Sequence, residues 1–372
     1  MSCKTYDAVV AGGGFAGLAC ARTMSRQGMQ VLVLEKKQWP GTKSHTTGII
    51  VKELAEAWNV PRRLTRKITH IRLYSPDLEY LDLYSPDYYF FATDTPSLLR
   101  WHADQAIQSG VTIRYNSGYH KSSYKNGYHL LESANISGRY LVGCDGARSR
   151  VATNYRLGRN TQFLLGSEIE IPVIPGMPDS CLHVFLDNEI APGYIAWAVP
   201  GVHAWQVGLA TRYPVVPDLD RFICKLRSLY DVDLADSGSR RAGLIPCGGT
   251  LKRFYAPGVL LLGDAAGMVS PLTAGGIHPA VNIAEVAGEM IVHHILYGGE
   301  DPGSELRREL PGFSYKKKIR YLYDHIPASN QLLNYLIHTP AFRLAAQAIF
   351  FHNRGLFSLN AWRDIIRATL QH

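Results

Sequence analysis

The sequence predicts an α/β fold: a parallel-sheet domain, interrupted by an inserted antiparallel sheet and followed by a helical C-terminal tail. Three features of the 372 residues carry that expectation. A glycine signature, VVAGGGFAGL, stands near the start, a second, LLLGDAAGMVSPLTAGGI, returns about 250 residues later, and alternating apolar stretches lie between them. Strands alternating with helices favour a parallel sheet, whereas short runs of alternating polarity favour an antiparallel one.

The first signature reads as strand, turn and helix. Tyr6 to Ala11 is a short buried strand, Gly12, Gly14 and Gly17 complete G-x-G-x-x-G around Ala16, and Leu18 to Gln27 has helix-forming composition. Gly12 permits the tight turn, Gly14 lets the backbone approach a pyrophosphate, and Gly17 lets the helix pack closely on the strand. The helix start then offers free N–H groups and a positive dipole end to phosphates. A second apolar run, Val31 to Leu34, ends in Glu35 and Lys36. Glu35 stands 23 residues after Gly12, where an acidic side chain accepts hydrogen bonds from ribose hydroxyls.

The second signature selects the dinucleotide. Val259 to Leu262 reads as an apolar strand with Gly263 and Asp264 at its end, and Pro271 and Thr273 lead through Gly275 and Gly276 into a helix from Ile277 to His293. An aspartate at a strand's C-terminal end can hold a sugar-alcohol chain. A second helix start can stabilise the negative charge that a flavin ring acquires on reduction. Together the two signatures point to FAD.

A third signature, YLVGCDGARSRV at residues 140–151, has a strand that ends at Asp145 and Gly146 and then a basic, hydroxyl-bearing turn, near the expected flavin phosphates. In the order GxGxxG, CDGARSRV, GDAAGMVSPLTAGGI, over residues 5–295, the chain resembles the FAD-dependent superfamily that contains single-component aromatic hydroxylases and geranylgeranyl reductases. The geranylgeranyl reductases carry GDAAG-x-x-x-P-x-x-G-x-G-I, which this chain matches closely. They also carry a Y-x-W-x-F-P segment that lines the substrate cavity. The resemblance places Trp197 and Pro200 in that segment, with Ile195 at the tyrosine position and Val199 at the phenylalanine position. Tyr194 is displaced by one residue, which in a strand turns it to the other face.

Other departures shape the expected site. The reductases often carry a cysteine in the loop after the second strand, and the corresponding stretch from Lys43 to Gly48 has none. His45 is the candidate proton donor there, a plain polar contact being its other reading. Where a flavin-contacting arginine is common, Thr95 stands in Asp94-Thr95-Pro96-Ser97-Leu98, and Arg100, one helical turn further, is the candidate substitute or a solvated helix residue.

Length and composition fit this division. A chain of 372 residues with 46% hydrophobic content is long enough for a discontinuous FAD domain at 1–165 and 245–295, a substrate sheet at 166–244 and a helical region at 296–372. Cys181 to Leu186, Gly193 to Val199 and Ala204 to Ala210 read as antiparallel strands, and the tail reads as helices broken at Pro311, Pro327 and Pro340. The net charge is +8, with basic residues concentrated from Arg307 to Arg320 beside apolar stretches 332–337 and 341–351. Such helices either lie on an anionic membrane surface or pack on their own protein. No recognition motif for nucleic acid accompanies the charge, and no apolar run approaches the about 18 residues of a membrane span. Without a secretory signal, the expected location is cytoplasmic, with peripheral membrane contact as an option. The six cysteines show no metal spacing and read as reduced packing residues.

The activity implied by the resemblance is reduction of an isolated double bond in a prenyl (geranylgeranyl-type) lipid. A hydride from reduced FAD goes to one carbon and a proton to the other. An unactivated alkene needs a well-placed acid, and His45, an ordered water and Tyr194 are the candidates. No second G-x-G-x-x-G exists, so the external donor, NAD(P)H or a reduced protein carrier, is left open. The rivals are a flavin monooxygenase for an aromatic or polyketide substrate and a flavin-binding protein without turnover.

Overall fold

The structure is a computed structural model that describes residues 4–42, 46–85, 88–132, 135–310, 313–326 and 328–351. The chain opens with β1 (Lys4–Ala11), α1 (Phe15–Arg26) and β2 (Val31–Leu34), followed by β3 (Ile49–Val51), α2 (Lys52–Trp58), β4 (Thr65–Ile68), β5 (His70–Tyr74), β6 (Tyr80–Tyr84) and β7 (Phe90–Thr93). Next come α3 (Thr95–Gln108), β8 (Thr112–Arg114), β9 (Ser122–Lys125), β10 (Tyr128–Leu131), β11 (Ile136–Gly143) and α4 (Arg150–Asn154). Then β12 (Phe163–Ile171), β13 (Cys181–Phe185), β14 (Ala196–Pro200), β15 (Trp205–Arg212), α5 (Leu219–Leu226), β16 (Arg241–Pro246), β17 (Tyr255–Ala256) and β18 (Val259–Leu261) lead into α6 (Ile277–Tyr297). Four helices follow: α7 (Pro302–Glu309), α8 (Ser314–His325), α9 (Asn330–Leu336) and α10 (Pro340–Phe351).

These elements form two units. The first takes its described residues from 1–44, 95–163 and 245–317, the second from 45–94, 164–244 and 318–372. In the first, a sheet runs β17-β18-β11-β1-β2-β8, with the β9–β10 hairpin attached to β11. β1 is parallel to both β11 and β2, and β11 is parallel to β18. The runs VLVL in β2 and VLL in β18 are buried throughout, as central strands covered on both faces must be. Helices α1 and α6 pack closely, because a Cβ on Gly288 would stand only 2.9 Å from Thr23 Cβ and 3.1 Å from the Cys20 carbonyl.

The second unit is built on a seven-stranded sheet in the order β16-β12-β15-β14-β13-β5-β6, with a separate sheet β3-β7-β4. Strands β12, β15, β14 and β13 pair antiparallel in turn, and β13 joins β5 in parallel. Alternation gives the large sheet two apolar faces. Ile169, Val207 and Leu209 pack with Phe222 and Ile223 of α5. On the opposite face Ile71, Leu73, Leu182 and Val184 pack with Ile68 and Phe90 of the small sheet and Phe351 of α10.

The mixed α/β architecture with an inserted antiparallel sheet is therefore the one expected, while the units divide at other positions. Residues 46–94 join the second unit, because His70 to Tyr74 pairs in register with Cys181 to Phe185. The tail is divided between the units near residue 317. Tyr194 is not in a strand: β14 begins at Ala196, and the Tyr194 N–H donates to the Ala191 carbonyl in the preceding turn. The face argument for Tyr194 thus does not apply. Helix α10 starts at Pro340 and buries Ala346, Ala348 and Phe351, while Leu344 is half-buried. No helix among the described residues is long and apolar enough to cross a membrane.

Candidate functional site

In the first unit the glycine signature does three separate jobs. Gly12 has φ +109° and faces β11 so closely that a Cβ would stand 2.2 Å from the Cys144 carbonyl oxygen. Gly17 is held by close packing, since its Cβ would lie 2.0 Å from the Gly12 carbonyl oxygen. A Cβ on Gly14, by contrast, would meet nothing within 4 Å. Gly14 is also the N-cap of α1, whose first turn has no side-chain cap and no acidic residue. The helix start therefore opens beside free space at Gly14, an arrangement suited to a pyrophosphate.

Glu35 is buried, and its Oε2 accepts from the Gly13 N–H at 2.7 Å and its Oε1 from the Lys37 N–H at 2.8 Å. The carboxylate braces the glycine loop, and each oxygen keeps a lone pair for a ribose hydroxyl. Ala16, also buried, sits at the α1 start, while Lys36 is exposed. Asp145 fastens the start of α4: it accepts from the Ser149 hydroxyl at 2.6 Å and from the Arg150 N–H at 2.6 Å, while Ser149 Oγ accepts from the Ala152 N–H. Gly146, at φ +85°, makes the turn beside it.

Asp264 projects from a 3₁₀ turn, Gly263–Ala266, directly after β18. Its own side chain is exposed, yet Gly263, Ala265 and Ala266 around it are buried. This is the signature of an acid in a crevice, and desolvation pushes its carboxyl up to about 6. A Cβ on Gly276 would lie 3.7 Å from Asp264 Oδ1, so the acid adjoins the start of α6. That start, capped by Gly276 and opening at Ile277, also lacks a side-chain cap and an acidic residue in its first turn. The loop before it closes through Ser270 N–H to the Gly275 carbonyl at 3.1 Å, and buried Pro271 packs toward Gly249. Asn160, unremarked in the sequence, donates to the Ala147 carbonyl at 3.1 Å and the Asp264 carbonyl at 2.8 Å, tying the second and third signatures together.

Two candidates fall differently. Arg100 is exposed and stacks its guanidinium 4.3 Å over the Trp39 ring, and Thr95 is buried at the start of α3. His45 lies outside the described residues.

In the second unit Trp197 stands on β14 and Pro200, buried, ends that strand opposite Trp205. The indole N–H donates to Glu168 Oε2 at 2.8 Å, and the Thr47 hydroxyl donates to the same oxygen at 2.6 Å. Arg241 donates through Nε to Glu168 Oε1 at 2.8 Å and through a terminal nitrogen to Glu170 at 2.7 Å. Burial opposes the Arg241 charge, but the two carboxylates outweigh it and hold the guanidinium above its ordinary range. Tyr194 is buried in the turn before β14. No group of His, Cys, Asp and Glu suited to a metal occurs among the described residues.

Comparison with known proteins agrees with this geometry. Residues 7–85 match the family described as FAD dependent oxidoreductase, and residues 125–295 match that described as FAD binding domain. A digeranylgeranylglycerophospholipid reductase 2 of Methanopyrus kandleri is 25% identical over 78% of each chain. A geranylgeranyl diphosphate reductase of Rhodobacter capsulatus is 26% identical over 74% of this chain and 72% of its own. A solved geranylgeranyl bacteriochlorophyll reductase-like protein of Thermoplasma acidophilum superposes with a TM-score of 0.79 over 98% of this chain and 99% of its own, at 18% identity, which establishes the shared fold. The cofactor is FAD, and the open space at Gly14 leaves room for its pyrophosphate.

Proposed function

We propose that this chain, an FAD-dependent oxidoreductase with geranylgeranyl reductases among its relatives, reduces isolated double bonds of a prenyl lipid of the geranylgeranyl type. What supports the reading is similarity to lipid reductases over about three quarters of the chain, joined to a substrate segment in which Trp197 and Pro200 stand on β14. FAD, when bound and reduced, supplies the hydride.

The residues of the chain do the rest. The α1 start behind Gly14 binds pyrophosphate, Glu35 accepts from the ribose, and Asp264 accepts from the sugar-alcohol chain. The uncapped α6 start at Gly276 and Ile277 stabilises negative charge on the reduced ring. Pro271 and Gly275 shape the loop that leads there. Trp197 offers a prenyl chain a flat apolar wall, the kind of surface that recognises a substrate made mostly of methyl groups. The proton for the second carbon is assigned to His45 or an ordered water, with Tyr194 behind them. Contact with a lipid surface is assigned to α8, where Ile319 and Leu322 are exposed beside Lys318, with exposed Ile326 just past its end. The apolar side of α10 is already packed against Tyr88 and Phe90.

The test is anaerobic. FAD-loaded protein is reduced chemically, a geranylgeranyl lipid is added, and flavin absorbance and product are followed against an oxygen-free blank. Lipid-dependent reoxidation with a saturated product is the expected result. A flavin that stays reduced until oxygen enters would overturn the reading in favour of a monooxygenase.

A further inference from the structure

We propose that Glu168 is a positioning residue and Gly208 a size-determining residue for the substrate wall, acting together through the Trp197 indole. The proposal rests on the prenyl-lipid reading and goes further, because it names what makes the wall flat.

Three neighbouring strands carry one row of residues. In register, Trp197 of β14 stands opposite Gly208 of β15, and Gly208 stands opposite Glu168 of β12. The indole crosses the intervening strand and reaches Glu168 Oε2 at 2.8 Å. It can do so only over a glycine. A Cβ at position 208 would stand 2.8 Å from Trp197 Cζ2, 2.9 Å from Cε2 and 2.8 Å from the Ser167 carbonyl oxygen. The last of these is backbone, so a larger residue has no retreat and the ring must lift. Lifting the ring draws its N–H away from the carboxylate.

The far end of the row is equally specific. Every group aimed at the Glu168 carboxylate is a donor: the Thr47 hydroxyl, the Trp197 N–H and the Arg241 guanidinium. An ionised carboxylate accepts at all its sites, whereas a glutamine places an NH₂ against one of these donors. The pair of bonds at Oε2 also joins the wall to the loop at Thr47, two residues beyond His45. A charge-assisted bond to a buried carboxylate suppresses rotation of the indole, so the prenyl chain meets a rigid plane rather than a mobile ring. The indole is thus anchored from across the sheet, while Ile195 and Val199 of its own segment share its apolar cluster.

The experiment uses the full FAD-loaded chain as Gly208→Ala, Glu168→Gln, Trp197→Phe and the Glu168→Gln/Trp197→Phe double variant. The probe is a geranylgeranyl lipid under anaerobic turnover. Each single variant should keep its FAD content and raise KM by about tenfold, the scale of one lost charge-assisted bond, with kcat changed less. The double variant should be no worse than the poorer single, because both changes cut one link. The near-ultraviolet dichroism belonging to Trp197, taken as wild type minus Trp197→Phe, should collapse in Gly208→Ala. Additive losses in the double variant, or Gly208→Ala with unaltered dichroism and KM, would overturn the inference while leaving wild-type turnover and the prenyl reading intact. Wild-type protein that passes no electrons to the lipid would overturn that reading and, with it, the substrate half of the inference. The dichroism would still decide the anchoring half.

Discussion

The glycine loops of the first unit and the Trp197 row of the second are held in opposite ways. In the first unit the contacts are made by backbone: Gly12 presses on Cys144, Gly14 leaves an opening, and the starts of α1 and α6 carry no side-chain cap. In the second they are made by side chains from separate segments, Thr47, Trp197 and Arg241, converging on the Glu168 carboxylate. The difference teaches that a ligand recognised by its phosphates can be served by local turns, whereas an apolar ligand needs a surface assembled from distant strands.

Breaking the cradle should have the largest effect. Gly12→Ala forces a Cβ against the Cys144 carbonyl at a positive φ, and the expected loss is on the order of 4 kcal/mol or outright failure to fold, read by thermal unfolding. Gly14→Ala sharpens the contrast two residues away. With open space and φ −84° at that position, stability of the FAD-free protein should change by less than about 0.5 kcal/mol. FAD affinity should fall about tenfold or more as the methyl meets the pyrophosphate, and titration of flavin fluorescence checks it. A Gly14→Ala protein that binds FAD normally would show that the opening is not where the cofactor lies.

The smallest expected effect concerns pH. Desolvation in its crevice raises the Asp264 carboxyl from 3.8 to about 6, so between those values the folded chain keeps a proton that the unfolded chain has released. Stability of the FAD-free protein from this group therefore falls as pH rises from about 4 to about 6 and is level above. FAD affinity moves the other way, rising through pH 6 as the carboxylate becomes the better acceptor. Asp264→Asn should abolish both slopes, and denaturant midpoints and FAD titrations across pH 4–8 measure them. A slope that survives in the variant would assign the titration elsewhere.

How much of this was readable follows from the same contrast. The cradle was legible because its parts lie within a few residues of one another, so the glycine spacing and Glu35 sufficed, as did Asp264 before a helix. Asp145 shows the limit, since its bonds to Ser149 and Arg150, which fasten the start of the next helix, carry no mark in the sequence beyond a strand-end aspartate. The seam at residues 46–94 was hidden because alternation at 65–84 marks strands without saying which sheet they join. Glu168 and Gly208 carried no signal at all: their partnership exists only in the register of three strands.

Helices α1 and α6 run side by side in the same direction. Ala16 and Ala280 near their starts both abut Gly263, and further along Arg22 pairs with Glu285 at 3.1 Å. Each bare start carries a partial charge of roughly +0.5, and two of them in register repel until an anion lies across both. In electrostatic terms the FAD-free protein is a spring compressed along two parallel dipoles, and a bound anion releases it.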